Sequence, residues 1–98
     1  MKENKHLEFA ILQFLTETDE YNHGLPETDF LIRFKKSPQY CLQTEGTVFV
    51  NSLILSHCRL LQLREYISYG HSASAGGNII GPVLPKGYDF LETKRGEE

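Results

Sequence analysis

The pattern of hydrophobic and polar positions predicts three amphipathic helices in the first part of the chain. Apolar side chains recur at helical spacing over residues 5–16, so we expect the first helix there. Pro26 suits the first turn of a second helix, and Pro38 disfavours helical geometry at Ser37, which ends that helix. Apolar residues three and four positions apart predict a third helix over residues 47–57.

After the third helix, the period of the pattern changes to that of strands. Residues 61–68 alternate in character, which predicts a strand, and residues 79–84 can form a strand that returns beside it. The small, glycine-rich segment 70–78 between them predicts a long hairpin tip. We expect a short final helix over residues 86–93 that folds back on the core, and a frayed, charged tail at residues 94–98.

Three helices, a hairpin and a closing helix are the element order of a winged helix-turn-helix domain, which belongs to the α+β class. The wing would contain two or three strands. The chain has 98 residues, no internal repeat and no linker rich in proline or serine, so we expect a single domain over residues 1–98. Two interpretations of residues 37–46 remain open: an ordered turn, or an insertion that reshapes the helix-turn-helix.

Two stretches of the sequence carry a resemblance. Residues 81–92 read GPVLPKGYDFLE, and residues 8–12 read EFAIL. They resemble the small bacterial and prophage winged-helix proteins of the YjcQ-like type, in which a strand runs through Gly-Pro and Leu-Thr-x-Lys-Gly into a short helix. The resemblance implies a winged-helix fold and brings no catalytic residue. The chain departs from the family at Leu84-Pro85, where the family has a threonine suited to cap a helix, so we expect the last helix to begin differently.

Charge restricts the partners that the chain can bind. Thirteen acidic and ten basic residues give a net charge of −3, which is unlike a non-specific nucleic-acid binder. The acidity lies at the ends, because residues 1–20 carry −3, residues 21–80 carry +1 and residues 81–98 carry −1. A nucleic acid would therefore be bound by a local patch in the middle of the chain.

The two cysteines and the apolar runs indicate the compartment. Cys41 and Cys58 are too few for a disulfide framework, so we expect two free, buried thiols in a reducing cytoplasm. The histidines lack the spacing of a tetrahedral zinc site, and we expect no metal and no other cofactor. No apolar run approaches the ~20 residues that span a bilayer, and acidic residues follow segment 9–15 where a signal peptide would be cleaved. We expect a cytoplasmic protein without membrane contact.

Catalytic chemistry is not expected. The sequence contains no carboxylate pair, no G-x-S-x-G, no H-E-x-x-H and no phosphate-binding glycine loop that leads into a helix. A chain of this length also leaves little depth for a catalytic cavity. We therefore expect a binding protein.

The leading function is DNA binding of regulatory type. The third helix would enter the major groove and present Thr47, Asn51 and Ser52 to base edges. Phosphate contacts are expected from the central cations and the wing, namely Arg33, Lys35, Lys36, Arg59, Lys86 and His71. Because residues 47–57 and 70–78 contain no Arg or Lys, we expect modest affinity that depends steeply on salt.

The alternative function is binding of a protein, either another subunit or a second copy of the chain, without DNA. A weakly charged third helix and a hairpin tip of small residues suit a packing surface. Tyr40, Tyr66 and Tyr69 are the candidate interface anchors, unless they lie half-buried at the edge of the core. A continuous positive strip on the face shared by the third helix and the hairpin would favour DNA, whereas an apolar, neutral face would favour protein.

Overall fold

The computed structural model describes residues 5–18, 23–44, 49–72 and 77–97. In these ranges the chain forms five helices and three strands, so the predicted α+β class is confirmed. In chain order the elements are α1 (Lys5–Thr18), β1 (Leu25–Pro26), α2 (Glu27–Lys35), α3 (Pro38–Thr44), α4 (Asn51–Leu63), β2 (Ile67–Ser72), β3 (Gly77–Val83) and α5 (Pro85–Glu97). The strands form one antiparallel sheet in the order β1-β3-β2.

The core is built around α1, which is two residues longer than predicted. Most of this helix is buried, and Phe14 packs against Phe30 and Phe34 of α2 with ring centroids 5.6 and 5.4 Å apart. α2 begins at Glu27, one residue after the predicted start, because Pro26 has an extended ψ of 141° and belongs to β1. The helix ends before Ser37, as the following proline requires.

Segment 37–46 contains a helix that its sequence pattern does not reveal. α3 begins at Pro38, which suits the first position of a helix because its missing N–H has no helical acceptor there. The Ser37 hydroxyl donates to the Phe34 carbonyl at 2.6 Å and accepts the Tyr40 N–H at 3.2 Å, so it caps the start of α3. Ser37 and Pro38 therefore separate two successive helices.

The predicted boundary between the third helix and the first hairpin strand is wrong. α4 continues to Leu63, and β2 begins only at Ile67, so residues 61–63 are helical and residues 64–66 form the turn. The helix closes on Glu65, whose φ of 64° is left-handed, while the Tyr66 N–H donates to the Leu61 carbonyl at 2.9 Å. Glycine is the usual residue at this position, and its absence removes the signal for the end of the helix.

The strands of the hairpin extend into segment 70–78, the predicted tip, because β2 ends at Ser72 and β3 begins at Gly77. β2 and β3 pair as far as Ser72 opposite Gly77, and Tyr69 lies opposite Ile80. Residues 73–76, between the two strands, lie outside the described ranges. β1 contributes two residues that pair with β3. Opposite Ser68, β3 has one extra residue, which forms a bulge at Gly81-Pro82.

α5 begins at Pro85 and continues to Glu97, past the predicted end at residue 93. Leu84 occupies the capping position, and its carbonyl accepts the Gly87 N–H at 2.8 Å. The helix therefore begins without a side-chain cap from residue 84, which is leucine. Phe90 stacks on Tyr66 with ring centroids 5.1 Å apart, and Leu91 is buried, so α5 packs beside the turn that follows α4.

Candidate nucleic-acid interface

One side of α4 faces solvent and adjoins the hairpin. Ile54, His57, Cys58 and Leu61 face the core, whereas Asn51, Ser52 and Arg59 are exposed and Leu55 is half-buried. Positions 51, 55 and 59 follow at intervals of four residues, so they lie along one stripe of the helix. His71 is exposed in β2, two positions after Tyr69 and hence on the same face of the sheet. We call the surface formed by Asn51, Ser52, Leu55, Arg59 and His71 the α4–hairpin face.

Arg59 joins α4 to the hairpin. Its guanidinium carbon lies 5.3 Å from the centroid of the Tyr69 ring, a distance typical of a cation–π contact. The Tyr69 hydroxyl donates to the Glu27 carboxylate at 2.7 Å, and the Asn78 amide donates to the same oxygen at 3.0 Å. Burial and the hydrogen bond to Glu27 raise the pKa of the Tyr69 hydroxyl, which therefore stays protonated and donating near neutral pH. Four elements, α2, α4, β2 and β3, thus meet in one polar cluster.

Two further candidate cations, Lys35 and Lys36, lie at the end of α2. Lys36 is exposed and Lys35 is half-buried. The Phe34, Tyr40 and Phe49 rings form a chain of contacts with centroid distances of 5.0 and 6.5 Å, which links the end of α2 through α3 to the residues just before α4. Lys35 and Lys36 directly follow Phe34 in the chain, and Asn51 and Ser52 lie two and three residues after Phe49.

Two of the predicted phosphate-binding residues form ion pairs within the chain. Arg33 lies 3.4 Å from the Asp29 carboxylate, one turn earlier on α2. Lys86 lies 2.8 Å from Glu65, and the hydrogen bond and charge of this lysine hold the pKa of the glutamate below its usual range. Within the described part of the chain, Arg59 has no acidic partner at ion-pair distance. Asn51, Ser52, Arg59 and His71 therefore belong to the α4–hairpin face, whereas Arg33 and Lys86 lie beside acidic groups. Lys35 and Lys36 reach solvent at the end of α2, and Thr47 lies outside the described residues.

The α4–hairpin face is neither a continuous positive strip, which would favour DNA, nor an apolar, neutral surface, which would favour protein. Residues 51–63, 67–72 and 77–83 contain no Asp or Glu, although 13 of the 98 residues of the chain are acidic. They contain a single cation, Arg59, so the face is polar and free of acidic residues without a continuous positive strip. The nearby Glu27 is half-buried, and two hydrogen-bond donors hold its carboxylate.

Two of the three candidate interface tyrosines belong to the chain's own core. Tyr40 is 7% exposed and accepts the Phe49 N–H at its hydroxyl, and Tyr69 is 6% exposed. The prediction that these two residues anchor an interface is corrected, because neither ring is accessible to a partner. Tyr66 is half-buried under Phe90, so only part of its ring faces solvent.

Sequence patterns do not reveal Glu27 and Asn78, the two residues that complete the cluster. They lie 42 and 51 residues from the partners they bind across the sheet, so no local spacing connects them. Glu27 is the first residue of α2, where an acidic side chain is ordinarily explained by the positive end of the helix dipole. That local explanation conceals its tertiary contacts.

The cysteines differ in their surroundings. Cys58 is buried as predicted, and burial followed by the charge of Glu27 raises its pKa. Cys41 is exposed on α3, so its predicted burial is wrong; both thiols are free. Among the residues that the structure describes, no three His, Cys, Asp or Glu side chains cluster so as to hold a metal ion. No helix within the described ranges has the length and apolar character needed to cross a membrane.

Comparison of the chain with protein-family models, curated proteins and solved structures finds no match.

Proposed function

We propose that this chain is a winged-helix DNA-binding protein of regulatory type, with α4 as the recognition helix and β2 and β3 as the wing. The order α1, β1, α2, α4, β2, β3 and the sheet order β1-β3-β2 support this fold, and α3 is an additional short helix between the two helices of the helix-turn-helix. The resemblance of residues 79–92 to YjcQ-like proteins supports a bacterial or prophage origin.

The observation that carries the proposal is the absence of acidic residues from α4, β2 and β3 in a chain of net charge −3. A carboxylate on a surface that approaches phosphates would be repelled at close range, whereas a protein partner imposes no such exclusion. The exposed side chains that remain there at the start of α4 are short hydrogen-bonding groups. Acidic residues are thus excluded from the part of the chain that would face a polyanion.

In this proposal, Asn51 and Ser52 contact base edges from the first turn of α4. An asparagine amide pairs with the N6 and N7 groups of adenine, and a serine hydroxyl both donates and accepts. Arg59 and Lys36 contact phosphates, and His71 follows the backbone beside the wing.

The number of available cations sets the expected affinity. Lys35, Lys36 and Arg59 give about three phosphate contacts, which corresponds to a slope of about −2.7 in log K against log salt. Binding should therefore weaken about 40-fold between 50 and 200 mM salt. This is a much smaller loss than that of proteins with six or more phosphate contacts.

Fluorescence anisotropy with a labelled duplex of mixed sequence tests the proposal across this salt range. The variant Lys35→Ala/Lys36→Ala/Arg59→Ala should lose nearly all binding and most of the salt slope. Lys5→Ala removes an exposed cation from the first turn of α1 and serves as the matched control, which should bind like the wild type. No binding to any duplex at 50 mM salt, or equal losses in the triple variant and the control, would refute the proposal.

A second function, binding of a protein, is favoured by two exposed apolar side chains at the ends of α4. Val50 is 64% and Leu63 is 78% exposed, and side chains of this size are common in the buried centre of protein interfaces. Sedimentation of the wild type and of Val50→Ser/Leu63→Ser over a range of concentrations tests self-association. A monomer mass for both proteins at all concentrations would remove the homodimer from consideration.

A further inference from the structure

We infer that Tyr69 is a positioning residue that holds Arg59 ready to bind a phosphodiester beside the hairpin. The inference rests on the proposed function and adds the ligand group and the device that orients the arginine. Tyr69 itself would touch no phosphate, because its ring is buried beneath the guanidinium.

The Tyr69 ring, which Arg59 contacts, is held in place by three sets of interactions. The Tyr69 backbone pairs with Ile80 in the β2–β3 ladder, its ring is buried, and its hydroxyl donates to Glu27 at 2.7 Å. Asn78 donates to the same Glu27 oxygen at 3.0 Å and thereby keeps the carboxylate in place. The ring face that Arg59 contacts is therefore set by α2, β2 and β3 together.

A guanidinium that rests on an aromatic ring keeps its N–H groups available. The ring attracts the cation through its face, while the five donors point outward in the guanidinium plane and can form a two-pronged contact with a phosphate. An arginine held in this way loses less rotamer freedom on binding than one that moves freely in water. Arg59 differs in this respect from Arg33 and Arg64, whose donors already contact carboxylates.

The position of Arg59 fits a phosphate rather than a base. Arg59 lies eight residues after Asn51 along one stripe of α4, a distance of about 12 Å along the helix axis. Base contacts from a recognition helix come mainly from its N-terminal part, and the backbone is met farther along the helix and by the wing. Arg59 lies at this junction of α4 with the hairpin.

The test is a double-mutant cycle on Arg59 and Tyr69, read as affinity for the duplex over a range of salt concentrations. Arg59→Ala should weaken binding about tenfold and make the salt slope less steep by about 1, equally for all sequences. Tyr69→Leu should weaken binding about threefold in the wild type and have no effect once Arg59 is absent. Tyr69→Phe keeps the ring and should bind nearly as tightly as the wild type, which separates loss of the ring from general disturbance of the buried site.

A second measurement detects the positioning without DNA. In the free protein, the Nε–H proton of Arg59 should carry an upfield ring-current shift in the NMR spectrum that persists in Tyr69→Phe and disappears in Tyr69→Leu. Three results would overturn the inference. These are an unchanged salt slope in Arg59→Ala while the wild type binds, an effect of Tyr69→Leu that is equally large without Arg59, or an Arg59 shift that does not respond to Tyr69→Leu. In each of these cases the wild type still binds DNA, whereas failure of the wild type to bind any duplex would refute the proposed function and with it the phosphate contact.

Discussion

Gly87→Ala reverses the usual effect of this substitution in a helix. Alanine favours helix over glycine by about 1 kcal/mol, so the change would ordinarily stabilise α5. At position 87, however, an added methyl group would overlap the Tyr66 carbonyl oxygen and come within 2.7 Å of Val83 Cγ1. We therefore expect the variant to be less stable than the wild type.

The magnitude follows from what the methyl group meets. The Tyr66 carbonyl cannot move aside easily, because it accepts the Leu84 N–H at 2.9 Å just before α5 begins. Crowding of a packed site costs about 1 to 3 kcal/mol, and a backbone neighbour favours the upper end of that range. After the gain in helix propensity of about 1 kcal/mol, the net loss of unfolding free energy is about 2 kcal/mol. For a chain of this size, that loss lowers the melting temperature by about 8 to 16 °C.

Urea unfolding followed by circular dichroism measures this change, and Gly70→Ala is the matched control. A methyl group at Gly70 in β2 would meet no atom within 4 Å, so this variant should be as stable as the wild type or slightly more stable. If Gly87→Ala unfolds at the same urea concentration as the wild type or a higher one, α5 does not approach Tyr66 in the way the structure shows. The close approach explains why glycine suits position 87.

Three further predictions concern charged and reactive groups. Arg64→Ala removes a partner of the buried Glu8 carboxylate and should cost about 2 kcal/mol in urea unfolding. Arg33→Ala breaks the exposed pair with Asp29 and should cost less than about 0.5 kcal/mol; equal losses in the two variants would contradict the burial of Glu8. A thiol reagent should modify the exposed Cys41 rapidly in the native protein and Cys58 only after unfolding, because burial raises the pKa of the Cys58 thiol. Rapid reaction of the native Cys41→Ser variant would be evidence against the burial of Cys58. Lys86 lowers the pKa of Glu65, so this ion pair stabilises the fold above the ordinary glutamate pKa. That stabilisation is lost as the pH falls through the lower pKa of the folded state. NMR titration should show a higher Glu65 midpoint in Lys86→Met, and an unchanged midpoint would count against the pair.

Sequence pattern predicts the helices wherever local rules and packing agree. α1 has continuous helical periodicity, and the boundaries of α2 follow from two prolines whose effect on the backbone is local. Prediction fails at α3 and at the end of α4. α3 is too short to show a period and depends on the Ser37 cap, and α4 ends at a left-handed Glu65 where glycine would have been the readable signal.

The candidate site divides in the same way. Asn51, Ser52 and Arg59 can be nominated from a helix pattern and from residue type. Whether a candidate side chain is available to contact DNA depends on its burial and its partners, which appear only in the folded chain. There, Arg33 and Lys86 lie beside carboxylates, whereas Arg59 lies on a tyrosine ring. The same limit applies to two of the three candidate interface tyrosines, since residue type does not show that Tyr40 and Tyr69 are buried.

By itself, the sequence determined the α+β class and the main helices, because periodicity is a property of neighbouring positions. The absence of acidic residues from α4, β2 and β3 became visible only with the observed boundaries, which place Glu65 in the turn between α4 and β2. The tertiary structure alone decided which cations remain available and how Arg59 is held. Glu27, Arg59, Tyr69 and Asn78 come from four elements, and Glu27 is 42 and 51 residues away from the two that bind it. Contacts of that range arise from packing of the sheet against the helices, which no local pattern records.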